Sequence, residues 1–431
     1  MTLESHRASK WLPISIFAAA LILRLGLILL HPRPLMSDEL DYDELGWTIA
    51  TSGAYSTHGQ PTAYRAIGYP LFVAGVYEIA GRRPTAVRLV QALCDSLSGL
   101  LLFYLLARRN AHTAVWLGAS WAVFTPAILF ANQIFSESIF VFVLVLFTYL
   151  LCRDSGREIR SIWVPGIVLG VLVLIKPAML LFTVALPFAL SKLHLRPAAL
   201  KLIAWACIPI ALWVGRNAIV MRAPVLTTST GMNLLIGNNP RATGGYSLPD
   251  VLPLGSDERS ADSAAFRIAL EYVDEHPVRA VGTGIKKLLL LMSSEGELAV
   301  GNFYRQPSAF PVRFSEKLRA VPIWIRTLVS LPFALVLILG TLGLATRRYD
   351  LMDGVFWALL FGIVASSFIF FGGSRFHFPL TPFLAAFAAE FVTEGRFKIR
   401  TVGRWHLSLS VAACLVYVFV WAGEIYLLYE S

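Results

Sequence analysis

The chain has 431 residues, 56% of them hydrophobic and only 15% charged, with a mean hydropathy of +0.65. Such a balance excludes an ordinary soluble domain and describes a polytopic membrane protein. The 37 Lys and Arg against 27 Asp and Glu give a formal net charge of +10, but the excess sits in short loops between apolar runs, where it reports topology rather than a nucleic-acid partner. The four cysteines, Cys94, Cys152, Cys207 and Cys414, lie in or at the ends of apolar runs and show no spacing suited to a metal or a disulfide framework.

In chain order, a basic start (His6, Arg7, Lys10) leads into an apolar run over 11–30 that looks like a signal peptide. The run is long enough to cross a bilayer, carries Arg24 and lacks a small-x-small cleavage site, so it reads as a retained first span. Further apolar windows fall at 85–107, 113–131, 137–152, 162–177, 178–191, 200–220, 321–345, 353–371, 376–393 and 406–429. Together they predict an all-α membrane protein of about eleven transmembrane helices. The segment 69–80 is apolar but too short to cross, which suits a juxtamembrane helix.

Alternate loops are basic: Arg108-Arg109; Arg153, Arg157 and Arg160; Lys192, Arg196 and Lys201; Arg347-Arg348; and Arg396, Lys398, Arg400 and Arg404. The positive-inside rule assigns these and the N-terminus to the cytoplasm, leaving loops 31–84, 132–136, 221–320 and 372–375 and the Lys176-Pro177 break outside. The expected organisation is an N-terminal transmembrane module over 1–220 with its functional first outer loop (31–84), an outer loop subdomain over 221–320, and C-terminal transmembrane helices over 321–431. Within the subdomain a turn-rich first part precedes helical patterns near 257–275 and 278–292, the latter with Lys286-Lys287 flanking a leucine run as in a helix lying on a lipid surface.

Five of the seven residues 38–44 are acidic, directly after the first span. If this stretch is helical, Asp38, Tyr42, Leu45 and Ile49 share one face with Asp41 beside them, while Glu39 and Asp43 point elsewhere. The topology also carries Arg65, Glu137, Lys176, Arg216, Asn217, Asn238, Asn239, Arg375 and His377 to the outer side. Ionisable groups near a bilayer pair with one another or line a cavity, so the set as a whole reads as one shared cavity. A carboxylate there can serve as a general base for a hydroxyl or as a ligand for a hard cation, and the sequence does not choose between them. Arg24 and Asp95 lie at similar depths inside their spans, which predicts an intramembrane ion pair.

Several motifs carry a resemblance. The first span is followed by Asp38-Glu39-x-x-Tyr42, then Arg65 with Gly68-Tyr69-Pro70. Phe135-Ser136-Glu137-Ser138 and Lys176-Pro177 come next, and Trp213-x-x-Arg216-Asn217 closes the first half. Gly231-x-Asn233-Leu234 leads to Gly237-Asn238-Asn239-Pro240 with Thr243-Gly244, and Arg375-Phe376-His377-Phe378-Pro379 lies near the end. In order and spacing these resemble the GT-C fold family of lipid-dependent glycosyltransferases that includes protein O-mannosyltransferases and lipid A aminoarabinose transferases. The resemblance covers most of 10–390 and departs from the family pattern at Ala66-Ile67 and at Lys176, which stands where arginine is commoner and lacks its bidentate fork.

What the resemblance implies is a GT-C fold and transfer of a hexosyl or pentosyl group, with inversion, from a polyprenyl-phosphate donor to a hydroxyl of a glycan, lipid or protein. The reaction would take place on the outer face of a bacterial inner membrane. Asp38 takes the place of the catalytic base; Arg65, Lys176, Arg216, Arg375 and His377 are candidate donor-phosphate contacts; Glu39, Asp41, Tyr42, Tyr69, Glu137, Asn238 and Asn239 are candidate substrate contacts. A divalent metal held by Asp41 or Glu39 is an option. The rival reading is a transporter or flippase of a lipid-linked saccharide, which would call for internal repeats or charges spread through the midplane, whereas this sequence shows no repeat and concentrates its charges at one face.

Overall fold

The computed structural model describes residues 11–153, 162–250, 252, 255, 257–304, 314–395 and 404–430, so the basic N-terminus and Arg157, Arg160, Arg396, Lys398 and Arg400 lie outside the described residues. The chain is helical almost throughout, in this order: α1 (Leu12–Leu30), α2 (Asp38–Ser52), a two-stranded hairpin (Ser56–Thr57 with Gln60–Pro61), α3 (Gly68–Ala80), α4 (Pro84–Ala107), α5 (Ala111–Ala122), α6 (Thr125–Ala131), α7 (Glu137–Cys152), α8 (Trp163–Ile175), α9 (Met179–Ser191) and α10 (Arg196–Val220). There follow α11 (Thr230–Gly237), α12 (Glu258–Glu275), α13 (Pro277–Leu291), α14 (Gly296–Phe303), α15 (Phe314–Ala320), α16 (Ile323–Thr346), α17 (Leu351–Ile369), a 3₁₀ turn (Ser374–Leu380), α18 (Thr381–Glu390) and α19 (Arg404–Glu430).

The spanning helices follow the apolar windows closely, because bilayer thickness sets the length of an uncharged run. Six segments are long and apolar enough to cross a membrane, the bent pair α5–α6 makes a seventh, and α7, α8, α9 and part of α19 are shorter apolar helices. Helix length therefore does not fix the count at eleven. The window at 113–131 divides in two with a bend of 48°. Pro126 enters the first turn of α6, where its missing N–H is tolerated but cannot continue the hydrogen-bond ladder of α5. The 221–257 stretch, expected to be turns, contains the short helix α11.

Arg24 and Asp95 form the intramembrane ion pair, both side chains wholly buried. Arg24 also donates to the Ala20 and Ala122 carbonyls at 3.0 Å each and to that of Trp121 at 3.2 Å. The Ala122 carbonyl is freed where α5 stops, because Pro126 four residues on has no N–H, and inside a bilayer it needs a protein donor, while the Trp121 carbonyl also accepts from the Phe124 N–H at 3.2 Å. One arginine thus caps a broken helix and neutralises a buried acid. Elsewhere backbones touch: a Cβ at Gly340 or Gly343 of α16 would sit 2.5 or 2.1 Å from the Leu384 or Phe387 carbonyl oxygen of α18, close approach that drives helix association in lipid. The buried core runs through Trp121, Phe130, Phe140, Phe147, Phe182, Phe333, Phe378 and Phe387.

The polar groups gather at two ends. At one, Arg108 donates to the Arg153 carbonyl (2.8 Å), Arg109 pairs with Asp350, Asn110 donates to Glu394 (2.8 Å), and Arg347 pairs with Asp350, Asp353 and Glu390. At the other end stand α2, the hairpin, the α8–α9 break, α11–α14 and the 3₁₀ turn, which carry the candidate site.

Candidate active site

The site is built on α2. Three acidic residues in its first turn suit the positive end of the helix, and Gly53 closes it in the left-handed region with its N–H on the Ile49 carbonyl. Just before it, Ser37 has φ 54°, an unfavourable conformation for a residue with a side chain. Glu39 holds that turn in place: its carboxylate is fully buried and accepts from Arg33 (2.7 Å), the Ile134 N–H (2.7 Å) and the Met36 N–H (3.0 Å). Asp43, on the same side, accepts from Tyr77 and from Arg82 at 2.6 and 2.9 Å. Both carboxylates are therefore occupied in anchoring α2 to its neighbours.

Asp38 faces the other way, as the helical spacing predicts. One oxygen accepts from Arg65 at 2.8 Å and the other from Arg375 at 3.2 Å, while Arg65 also reaches Asp41 at 2.7 Å. Burial alone would raise the Asp38 carboxyl, but the two guanidinium groups outweigh it and hold the group below its usual range. Tyr42 lies beneath Arg65, 5.3 Å from ring centre to guanidinium carbon, and meets Tyr69 edge-on at 4.7 Å. The Tyr69 hydroxyl is taken by Gln91, so Tyr69 shapes the wall through its ring. Arg375 is sandwiched between Phe135 and Phe376 and lies within electrostatic reach of Glu137, Asp38 and Glu297. At the α8–α9 break Lys176 binds Glu137 at 2.8 Å.

Asp38, Asp41, Tyr42, Arg65, Tyr69, Glu137, Lys176 and Arg375 are thus brought together. The remaining candidates are not. Arg216 donates to the Thr62 and Tyr55 carbonyls at 2.8 Å each and stacks on Tyr55 and Trp213, holding the 55–65 hairpin segment, the two strands with their flanking residues, that leads to Arg65. Asn238 and Asn239 give their amide groups to backbone carbonyls of Leu234, Ile369, Leu235, Ile236 and Ser247. His377 is buried, bonded to the Leu291 carbonyl (2.7 Å) and Glu295 (3.0 Å) and stacked on Phe333. Each has its polar atoms directed to the scaffold behind the cavity.

The carboxylates considered as metal ligands each face a guanidinium, and among the described residues no three His, Cys, Asp or Glu side chains converge as a metal set. The donor arrangement suits an anion at the arginines better than a cation at the acids. Sequence reasoning missed three residues here. Lys287 is buried with its ammonium on Asn238 (3.0 Å) and on the Phe368 and Ile369 carbonyls. Glu258 accepts from Thr62 Oγ1 (2.7 Å), the Ala63 N–H (3.1 Å) and Thr228. Glu297 stands beside Gly373. Only the Lys286-Lys287 pair left a signal, which pointed to a lipid surface.

Residues 64–217 match the family model described as dolichyl-phosphate-mannose-protein mannosyltransferase. No curated protein matches the chain. Among solved structures, the apo oligosaccharyltransferase of Archaeoglobus fulgidus aligns over 95% of this chain and 55% of its own, at 14% identity and a TM-score of 0.49. The ArnT of Cupriavidus metallidurans bound to undecaprenyl phosphate aligns over 90% of this chain and 78% of its own, at 14% identity and a TM-score of 0.41. This chain therefore spans little more than half the length of the archaeal protein. The resemblance of this chain to the lipid-dependent membrane glycosyltransferases of GT-C type stands on its own motifs and on the family match over 64–217.

Proposed function

We propose that the protein transfers a sugar from a polyprenyl-phosphate donor to an acceptor hydroxyl on the extracytoplasmic face of the membrane, with inversion, Asp38 acting as general base. The observation that carries this reading is one carboxylate, Asp38, held between two arginines from opposite ends of the chain, Arg65 and Arg375. The site supplies both parts that such a transfer needs, a carboxylate to take the hydroxyl proton and cations to stabilise the departing phosphate. In the ligand-free site Asp38 is charged but weakly basic, because both arginines stabilise it. A donor phosphate entering between Arg65, Arg375 and Lys176 shares that positive charge, and Asp38 becomes the stronger base when the reactants are assembled. It then takes the proton of the acceptor hydroxyl, whose oxygen bonds to the anomeric carbon as the bond to the phosphate oxygen breaks. The bond electrons leave with the phosphate, where the cations stabilise them. A single displacement of this kind inverts the anomeric centre.

Mass spectrometry of surface glycans, lipids and proteins from cells with and without the protein tests the reading, with Asp38→Asn as the discriminating variant. The expected result is a sugar adduct that appears only with wild type, and an Asn variant that folds but loses activity by on the order of 10²–10⁴-fold. Near-normal turnover by the variant would sink the base assignment. In vesicles, movement of an unaltered lipid-linked saccharide without any adduct would favour a flippase.

A further inference from the structure

A further acid that none of the motifs mark stands near the Asp38–Arg375 pair. Glu297 lies in the first turn of α14, far in sequence from Asp38. Its side chain is exposed, so a ligand can reach it, although the neighbouring protein is dense enough to raise its carboxyl. Arg375 is ion-paired with Asp38 and lies within electrostatic reach of Glu297 as well. Gly373 lets the acid approach the turn that carries Arg375: a Cβ there would be 3.1 Å from Glu297 Oε1, a contact that would force the neighbour to move.

The segment carrying Glu297 is fixed from three sides. Glu424 of α19 accepts from the Ser294 N–H and hydroxyl at 2.9 Å each, Trp421 donates to the Met292 carbonyl at 3.0 Å, and Glu295 binds His377 at 3.0 Å. A carboxylate so placed is preorganised, yet its partners differ from those of Asp38: it has the Ser374 N–H and Arg375 nearby but no direct ion pair among the described residues. Burial raises its carboxyl, with Arg375 opposing, while Asp38 is lowered. A carboxylate with open acceptor capacity is satisfied by hydroxyl groups, which donate to it.

We infer that Glu297 is a substrate-contacting carboxylate of this site, gripping hydroxyl groups of the incoming acceptor beside the turn that carries Arg375. The inference rests on the reading of the protein as a glycosyltransferase and adds to it the residue that holds the acceptor. It assigns Glu297 to acceptor binding and leaves the donor phosphate to Arg65, Arg375 and Lys176.

The test uses the full-length protein in vesicles prepared from cells lacking it, supplied with graded amounts of membrane extract from the same cells as acceptor, with product read by mass spectrometry. Undecaprenyl phosphate alone serves as the donor-side binding probe. Glu297→Gln is expected to raise the apparent acceptor KM about tenfold or more, with kcat and undecaprenyl phosphate affinity within about twofold of wild type; Glu297→Asp, which keeps the charge but shortens the reach, should fall between. An unchanged KM in both variants would overturn the inference. So would a kcat loss as large as that of Asp38→Asn, which would make Glu297 the base, or a parallel loss of undecaprenyl phosphate affinity, which would place it on the donor side. If Glu297→Gln fails to fold, Glu297→Asp carries the same comparison. Absence of product from wild type would bring down the glycosyltransferase reading itself, an outcome distinct from any of these.

Discussion

At the scale of single residues, the balance around Asp38 sets an expectation for pH. Its folded-state pKa is lowered because Arg65 and Arg375 outweigh burial. A depressed carboxylate contributes stability that is present above its unfolded value, about 3.9, and is lost as pH falls through the folded value. The ligand-free protein should therefore keep this contribution down to about pH 4. Once a phosphate shares the arginines, Asp38 loses part of its stabilisation and its pKa rises. The acid limb of kcat at saturating donor is thus expected at higher pH than the acid limb of the melting temperature, and both limbs should change in Asp38→Asn. Coincident limbs in wild type would contradict the exchange of arginine partners. The same residue scale shows what a motif can mislead about. Asn238, Asn239 and His377 stand in conspicuous motifs, yet their polar atoms close the backbone around the cavity. A sequence pattern fixes where such a side chain lies along the chain, but not whether its polar atoms turn toward the cavity or toward a loop.

At the scale of helices, the legible part was what bilayer thickness and periodicity control. The windows at 85–107, 137–152 and 178–191 fall within one residue of α4, α7 and α9, and the faces of α2 separate Asp38 from Glu39 and Asp43 as its spacing requires. The break between α5 and α6 was not read, since Pro126 lies inside an otherwise continuous apolar run and only the tertiary partner of the freed carbonyl makes the bend stable. That partner is Arg24, which modifies the expectation for the buried ion pair. Removing one member of such a pair costs about 3–5 kcal/mol, and Arg24 additionally satisfies the Trp121 and Ala122 carbonyls. Arg24→Ala should therefore lower the folded yield in detergent more than Asp95→Ala does. The double variant should lie near Arg24→Ala rather than at the sum of the two losses. Size-exclusion profiles of the three variants decide this, and equal yields for the two single variants would mean that the carbonyl contacts contribute nothing.

At the scale of the whole molecule, the site is a meeting of segments that alternate topology brings to one end: α2, the 55–65 hairpin, the start of α7, the α8–α9 break, α14 and the 3₁₀ turn. The alternation of basic loops was enough to foresee the meeting of α2, the hairpin, the start of α7, the α8–α9 break and the 3₁₀ turn. The long 221–320 segment offered no such alternation, so Glu258 and Glu297 went unmarked even though both reach the site region. Glu258 bears on how the two halves cooperate. It grips Thr62, Ala63 and Thr228, Arg216 holds the Thr62 and Tyr55 carbonyls, and the Tyr55 hydroxyl donates to the Arg65 carbonyl at 2.8 Å. Two distant helices thus fix one hairpin, whose Arg65 in turn fixes Asp38. Because misplacing a catalytic group by about 1 Å can cost on the order of 10²-fold in rate, Glu258→Gln is expected to lower kcat about tenfold or more while leaving the melting temperature within a few degrees of wild type. Arg216→Lys should act on the same hairpin. If so, the rate losses of the double variant will fall short of the product of the single losses, since either change alone already frees the hairpin. Independent, multiplicative losses would show that the two residues do not act through a common element, and that Arg65 is positioned by α2 alone.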